Sequence, residues 1–208
     1  MLPAILPLFP LPQVLLFPHT FLPLHIFEPR YRQLVTEALV SHQHFILALA
    51  REPVTTDPKD RPALFEVGSL ARIVRAEPLD DGRWNILVEG MGSHRILSEV
   101  DGKPYRQVRT EALPFDAATP LPGPERDRLF SALSSYAARN GIEAQVRELM
   151  ELPLDLEAQL YTLSVALEFE PVEKQFLLES ANLVQLGERL NQLLDFALSD
   201  RGLHGEIH

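Results

Sequence analysis

The chain contains no cysteine. That excludes disulfides, thiolate nucleophiles, cysteine-ligated zinc and iron–sulfur clusters. Lysine is almost as scarce: Lys59, Lys103 and Lys174 are the only three in 208 residues. Lys59 stands in a charged loop, Lys103 follows a turn, and Lys174 lies among Glu170 and Glu173. None is expected in the desolvated setting that a lysine base requires. No apolar run approaches the roughly 18–20 residues of a membrane-spanning helix, so no membrane partner is expected. The apolar start is broken by Pro3 and Pro7 and lacks a basic flank, unlike a signal peptide. With the absence of cysteine, this makes a cytoplasmic setting the expectation.

The motifs of several enzyme classes are missing too. Gly102-Lys103 is followed by Pro104 and has no second glycine at P-loop spacing. There is no GxGxxG for a dinucleotide and no GxSxG for a serine nucleophile. Ser93-His94 is the nearest approach to a nucleophile beside a base. Neighbours on a strand point to opposite faces, so the two are not expected to meet. His42 and His44 share the spacing of one strand face, but no third ligand accompanies them as HExxH would supply. Asp80-Asp81 stands directly before Gly82, where a turn explains both carboxylates. No catalytic residue, metal site or cofactor is therefore expected.

What is present is proline, 18 in all, and a lopsided charge. Residues 1–110 hold 12 basic and 12 acidic side chains, whereas residues 111–208 hold 7 and 17. The net charge of −10 thus belongs to the second half. Phosphate contacts need Lys and Arg, so nucleic acid is disfavoured as a partner there. In the first half, Arg72, Arg75, Arg83, Arg95, Arg106 and Arg109 offer a local basic stripe that an RNA-binding module would use.

The periodicity divides the chain in the same way. Residues 1–27 alternate apolar runs with Pro, which predicts short edge or bulged strands. Glu28-Pro29 opens a helix with Tyr31, Leu34, Val35, Ala38 and Leu39 on one face. Residues 44–50 read as a strand and residues 52–62 as an exposed loop. A strand over residues 66–77, with Leu70, Ile73 and Val74 as its apolar contacts, leads to the hairpin signal Asp80-Asp81-Gly82. The returning strand carries Trp84, Ile86 and Val88 on one face, with Trp84 as a core anchor. Gly90 and Gly92 bracket a bulge, and further strands follow on either side of Asp101-Gly102. Pro120, Pro122, Gly123 and Pro124 mark a stiff linker.

Beyond the linker the period becomes helical. Five helices are expected, carrying Leu129, Leu133 and Tyr136; Ile142, Val146, Leu149 and Met150; Leu156, Leu160, Leu163 and Leu167; Val172, Phe176 and Leu177; and Leu183, Leu186, Leu190, Leu193 and Ala197. The fold class is α+β: a twisted antiparallel β pseudo-barrel with one helix, then a helical bundle. The expected division is 1–116, a linker over 117–124, a bundle over 125–199, and a frayed tail over 200–208.

A family signal lies in these residues. Leu6-Pro7-Leu8-Phe9-Pro10-Leu11-Pro12, Val14-Leu15-Leu16-Phe17-Pro18 and Leu22-Pro23-Leu24-His25-Ile26-Phe27-Glu28-Pro29-Arg30-Tyr31 resemble the opening of the Lon protease N-terminal, substrate-binding domain. Gly68-Ser69-Leu70-Ala71-Arg72-Ile73, residues 81–90 with Arg95-Ile96-Leu97, and residues 173–179 with Arg189-Leu190 resemble its later stretches. The resemblance implies a PUA-like barrel followed by a helical bundle, and a non-catalytic module that binds protein. Its implied partners are unfolded or degron-bearing polypeptides, with a protease or chaperone as a further partner. It also implies that the ATPase and Ser-Lys peptidase parts lie outside this chain, and it leaves self-association open. Two departures stand out. His19 follows Phe17-Pro18 where the family often has Gly, and His94 stands where an aromatic often precedes the strand arginine. Phe17, His19 and Phe21, around Pro18, are the candidate peptide-binding residues. An RNA-binding PUA-like module is the alternative.

Overall fold

Pro7 and Pro10 predict an edge strand, yet the computed structural model, which describes residues 2–51 and 61–200, places them in an interior one. Strand β1 (Ile5–Leu11) lies between β6 (Gln107–Ala112) and β3 (His44–Leu49). Its first half, Ile5 to Pro7, pairs antiparallel with β6, and Leu8 N–H still donates to Arg106 O at 2.8 Å. Its second half, Leu8 to Leu11, pairs parallel with β3. Backbone N–H groups alternate sides along a strand. Pro7 therefore faces the β3 side before that ladder begins, and Pro10 faces the β6 side after that ladder has ended. Neither proline deprives an existing ladder of a donor, which is how an interior strand carries both.

The other strands are β2 (Phe21–Ile26), β4 (Val67–Pro78) and β5 (Trp84–Val100). Their order is β2-β5-β4-β3-β1-β6, with β5 also paired to β6. Strand β5 is 17 residues long, long enough to pair with β2 through its first half and β6 through its second. The β5–β6 pairing closes β1, β3, β4, β5 and β6 into a barrel, leaving β2 as the edge. The sheet is mixed: β1–β3 is parallel where a wholly antiparallel barrel was expected, and the other pairings are antiparallel. Parallel neighbours need a crossover. Helix α1 (Pro29–Leu39) lies on that connection, entered through Glu28 and Pro29.

Strand β3 is buried on both faces, which explains its unbroken apolar run. Phe45 and Leu47 join Tyr31, Leu34, Val35 and Ala38 of α1 in one core, while Ile46 and Ala48 join Leu6, Leu8, Leu70 and Val108 in a second. Trp84 is half-buried and packs on the rim of the first core instead of anchoring it. Val74 is a second correction. Val74 follows the inward Ile73 and so points outward at 42% exposure, and the register shift between Ile73 and Arg75 keeps Arg75 on that outer side as well.

By contacts the chain forms two units, Met1–Pro114 and Phe115–His208. The second contains α2 (Gly123–Asn140), α3 (Glu143–Met150), α4 (Leu156–Ala166), α5 (Pro171–Leu178) and α6 (Leu183–Asp200). Local signals set their ends. Gly141, at φ 68°, terminates α2 in the left-handed conformation. The Asp155 carboxylate caps α4 by accepting from Ala158 N–H at 2.9 Å. Glu173 accepts from the Glu170 N–H at 2.7 Å, closing the start of α5. Leu121, in the expected linker, is buried beside Gly187.

The helical faces differ from expectation in two places. The buried stripe of α6 is Leu183, Leu186, Leu190 and Leu194, while Leu193 and Ala197 are half-buried. Spacings of three, four and four follow the 3.6-residue period of a bundle helix and not a heptad seam. On α5, Leu177 is buried, whereas Val172 and Phe176 are exposed. An eight-residue helix has room for one inward stripe, and Leu177 and Leu178 occupy it.

Candidate functional site

The turn joining β1 to β2 is built by Phe17, Pro18, His19 and Thr20. Thr20 N–H donates to Phe17 O at 3.3 Å, and Thr20 Oγ1 donates to the same carbonyl at 2.8 Å. Proline at the second position and a positive φ at the third give this turn type II character. The third residue is His19, at φ 62°, which explains why glycine often stands there in the family resembled. A non-glycine residue in that region costs about 1–2 kcal/mol, partly offset by the lower chain entropy of histidine when unfolded. His19→Gly is therefore expected to stabilise the chain by about 0.5–1 kcal/mol, read as a higher urea midpoint with an unchanged m-value. A lower midpoint would mean that the imidazole makes contacts outweighing the strain.

The turn docks directly on β5. His19 N–H donates to Gly90 O and Gly90 N–H to Thr20 O, both at 2.9 Å. A Cβ at Gly90 would lie 2.0 Å from Phe17 O, so only glycine permits the approach. Ser69 Oγ holds the turn from below by donating to Leu16 O.

This geometry separates the three candidate residues. Phe17 is 0% exposed and is a core residue, which corrects its expected place on a surface. His19 is exposed at the turn, and Phe21 is 56% exposed on the outer face of β2. Across the sheet, Phe21 pairs with Glu89 and Pro23 with Leu87. Met91 follows on the same side of β5 at 43% exposure, and Val74 stands out from the adjacent bulge of β4. Phe21, Pro23, Leu87, Met91 and Val74 thus share the outer face of the paired strands with the Arg72–Glu89 pair and Arg75. Alternation with Ile86 and Val88 implies an outward Leu87 and Met91, and an inward Ile73 implies an outward Val74.

Charged groups on this side of the barrel pair with one another. Arg72 pairs with Glu89, Arg75 with Glu77, and Arg83 with Asp81 at 2.6 Å. His25 Nδ1–H donates to Asn85 Oδ1 at 2.7 Å, and its Nε2 lies 3.2 Å from Arg83 Nη1, which holds the ring in one tautomer. The Arg83 backbone N–H and guanidinium hold the Asp81 carboxyl below its usual range. Elsewhere, Arg106 pairs with Glu99, and Arg95 sits opposite Glu111 in the β5–β6 register. Four of the six arginines of the stripe, Arg72, Arg75, Arg83 and Arg106, are thus paired with carboxylates, which reduces the positive charge offered to a phosphate.

The remaining candidates do not assemble into a reactive centre. His94 is buried, with Nδ1 3.1 Å from Thr110 Oγ1, and burial lowers its pKa. The His42 and His44 rings are 6.3 Å apart; His44 N–H donates to His42 Nδ1 at 3.1 Å, and the His44 ring donates to His42 O. Among the described residues no cluster of three or more His, Asp or Glu is placed to hold a metal ion. The Glu28 side chain makes no capping hydrogen bond to α1; its carboxylate pairs with Arg30 at 2.9 Å. Lys174 also departs from expectation. Its ammonium donates to Val165 O at 3.0 Å, and desolvation lowers its pKa. Lys59, most of the 52–62 loop and the residues after Asp200 lie outside the described residues.

The family described as the ATP-dependent protease La (LON) substrate-binding domain matches this chain over residues 5–195. The chain belongs to the Lon substrate-binding domain family. A Lon protease from Trichlorobacter lovleyi is 28% identical over 198 residues, covering 93% of this chain and 24% of its own length. One from Geobacter metallireducens is 28% identical over 202 residues, with the same coverage. The chain thus spans about a quarter of the length of these Lon relatives. The N-terminal domain of the Mycobacterium avium complex Lon protease superposes with a TM-score of 0.67 at 18% identity, covering 94% of this chain and 99% of that one. A Lon N-terminal domain protein from Xanthomonas campestris gives 0.63 at 20% identity, covering 92% and 98%. These likenesses establish the Lon N-terminal fold. Among the described residues no helix is long and apolar enough to cross a membrane.

Proposed function

We propose that this chain is a non-catalytic module that captures apolar or aromatic segments of unfolded or degron-bearing polypeptides on the outer face of β2 and β5. The observation carrying this reading is the exposure of Phe21, Met91 and Val74 on paired strands of a substrate-binding family member. Exposed apolar groups held on a rigid sheet offer contact area with little ordering cost on the receptor side. His19 borders this face and supplies a polar rim. Captured clients would pass to a Lon-type protease or a chaperone. The paired arginines disfavour the RNA-binding alternative.

A peptide array probed at low and high salt tests the reading. Salt-insensitive binding to aromatic or aliphatic peptides is expected, because burial of apolar surface is not screened. Phe21→Ser is expected to weaken that binding by about tenfold or more, with no loss of thermal stability, since truncating an aromatic anchor commonly costs at least 1–2 kcal/mol. Absence of peptide binding at both salt concentrations, or unchanged binding by Phe21→Ser, would overturn it.

A further inference from the structure

The second unit carries a polar groove between α2 and α6, with a volume of about 440 Å³. It is lined by Glu125 and Arg128 from α2, and by Gly187, Glu188, Asn191 and Gln192 from α6. Asn191 lies one residue after Leu190 of the buried stripe and is only 8% exposed. Its Oδ1 is buried without a hydrogen-bond partner. A buried acceptor left unpaired is destabilising, and a leucine at this position would avoid that cost. The charge around the amide is acidic. Glu125 and Glu188 are exposed at the groove, and Arg128 is occupied by Asp195 at 2.6 Å. The surrounding unit, residues 115–208, carries 16 acidic against 7 basic side chains.

We infer that this groove is a subsite for a guanidinium group, supplied by an arginine side chain of a bound polypeptide. A guanidinium offers five N–H donors in a plane and accepts nothing. The groove offers the complementary set: two carboxylates, the Gln192 amide oxygen and the unpaired Asn191 oxygen. A guanidinium N–H entering beside the Asn191 amide would satisfy its unpaired oxygen. The net negative field of the unit draws cations toward it and disfavours carboxylate or phosphate ligands. The source of the arginine rests on the client-binding reading; the subsite chemistry does not.

Capped arginine, N-acetyl-arginine methylamide, is therefore the probe, titrated into the full ¹⁵N-labelled chain with capped citrulline as the neutral isostere. Saturable shifts are expected at the Asn191 side-chain amide and the Gly187 N–H, with citrulline at least fivefold weaker. Asn191→Leu and the exposed change Glu188→Gln should each weaken arginine binding at least fivefold while retaining the wild-type spectrum elsewhere. Equal shifts from citrulline, shifts spread over all acidic helices and untouched by Asn191→Leu, or no saturable shift would each overturn the subsite. Because the probe carries no aromatic group, failure here leaves the Phe21 face untouched. Conversely, loss of aromatic-peptide binding leaves the arginine titration interpretable.

Discussion

Phe17→Ala is expected to destabilise residues 1–114 by about 3–5 kcal/mol, the usual cost of truncating a buried phenylalanine. The side chain is 0% exposed, and its carbonyl accepts from both the backbone and the hydroxyl of Thr20. Truncation leaves a cavity directly beneath the turn that positions His19 and Phe21. Urea unfolding followed by Trp84 fluorescence measures the effect, because Trp84 is the single tryptophan and packs on the same unit's core. The comparison with Phe21→Ser carries the meaning. A core role for Phe17 predicts lost stability from Phe17→Ala and lost peptide binding, at full stability, from Phe21→Ser. If Phe17→Ala instead kept wild-type stability and lost only peptide binding, Phe17 would belong to the binding face after all.

Gly90→Ala is expected to cost about 3 kcal/mol, the upper end of the usual overpacking cost, through overlap instead of a cavity. The added methyl would meet Phe17 O at 2.0 Å and Phe17 C at 2.7 Å, and both are backbone atoms that no rotamer change can move aside. Relief requires the turn to lift from β5. That breaks the bonds His19 N–H to Gly90 O and Gly90 N–H to Thr20 O. Amide exchange should therefore accelerate at His19 and Gly90 before it does so in β3. A Gly90→Ala chain with wild-type urea midpoint and unchanged protection at His19 would show that the turn does not dock this closely. Gly92 provides the control: a Cβ there meets nothing within 4 Å, although its φ of 154° still favours glycine.

Signals confined to a few neighbouring residues were legible in the sequence. Glu28-Pro29 announces α1 and Asp80-Asp81-Gly82 the β4–β5 turn. Each works because backbone preference and local hydrogen bonding decide it within one turn of chain. The Lon resemblance was legible for the same reason, since the Pro-spaced opening records where strand donors are dispensable. The face of each aromatic was less so. Phe17 and Phe21 flank the same Pro-His-Thr segment, yet one is buried and the other exposed. The difference arises because the turn packs against Gly90, some seventy residues away in sequence. Val74 shows the same limit: Ile73 and Val74 are adjacent and both apolar, and only the fold decides that Ile73 is the inward one.

The sequence by itself determined the elements, most of their limits, the acidic character of the second half and the family. These depend on periodicity, composition and turn chemistry, all of which are local. Only the tertiary structure decided that β1 runs parallel to β3, that β5 and β6 close the barrel, and that Leu194 replaces Leu193 in the buried stripe of α6. It alone paired Arg72 with Glu89 and Arg83 with Asp81, and left the Asn191 Oδ1 without a partner in an acidic groove. Those outcomes depend on which distant residues meet, and a hydrophobic pattern specifies that a face is buried without specifying against what.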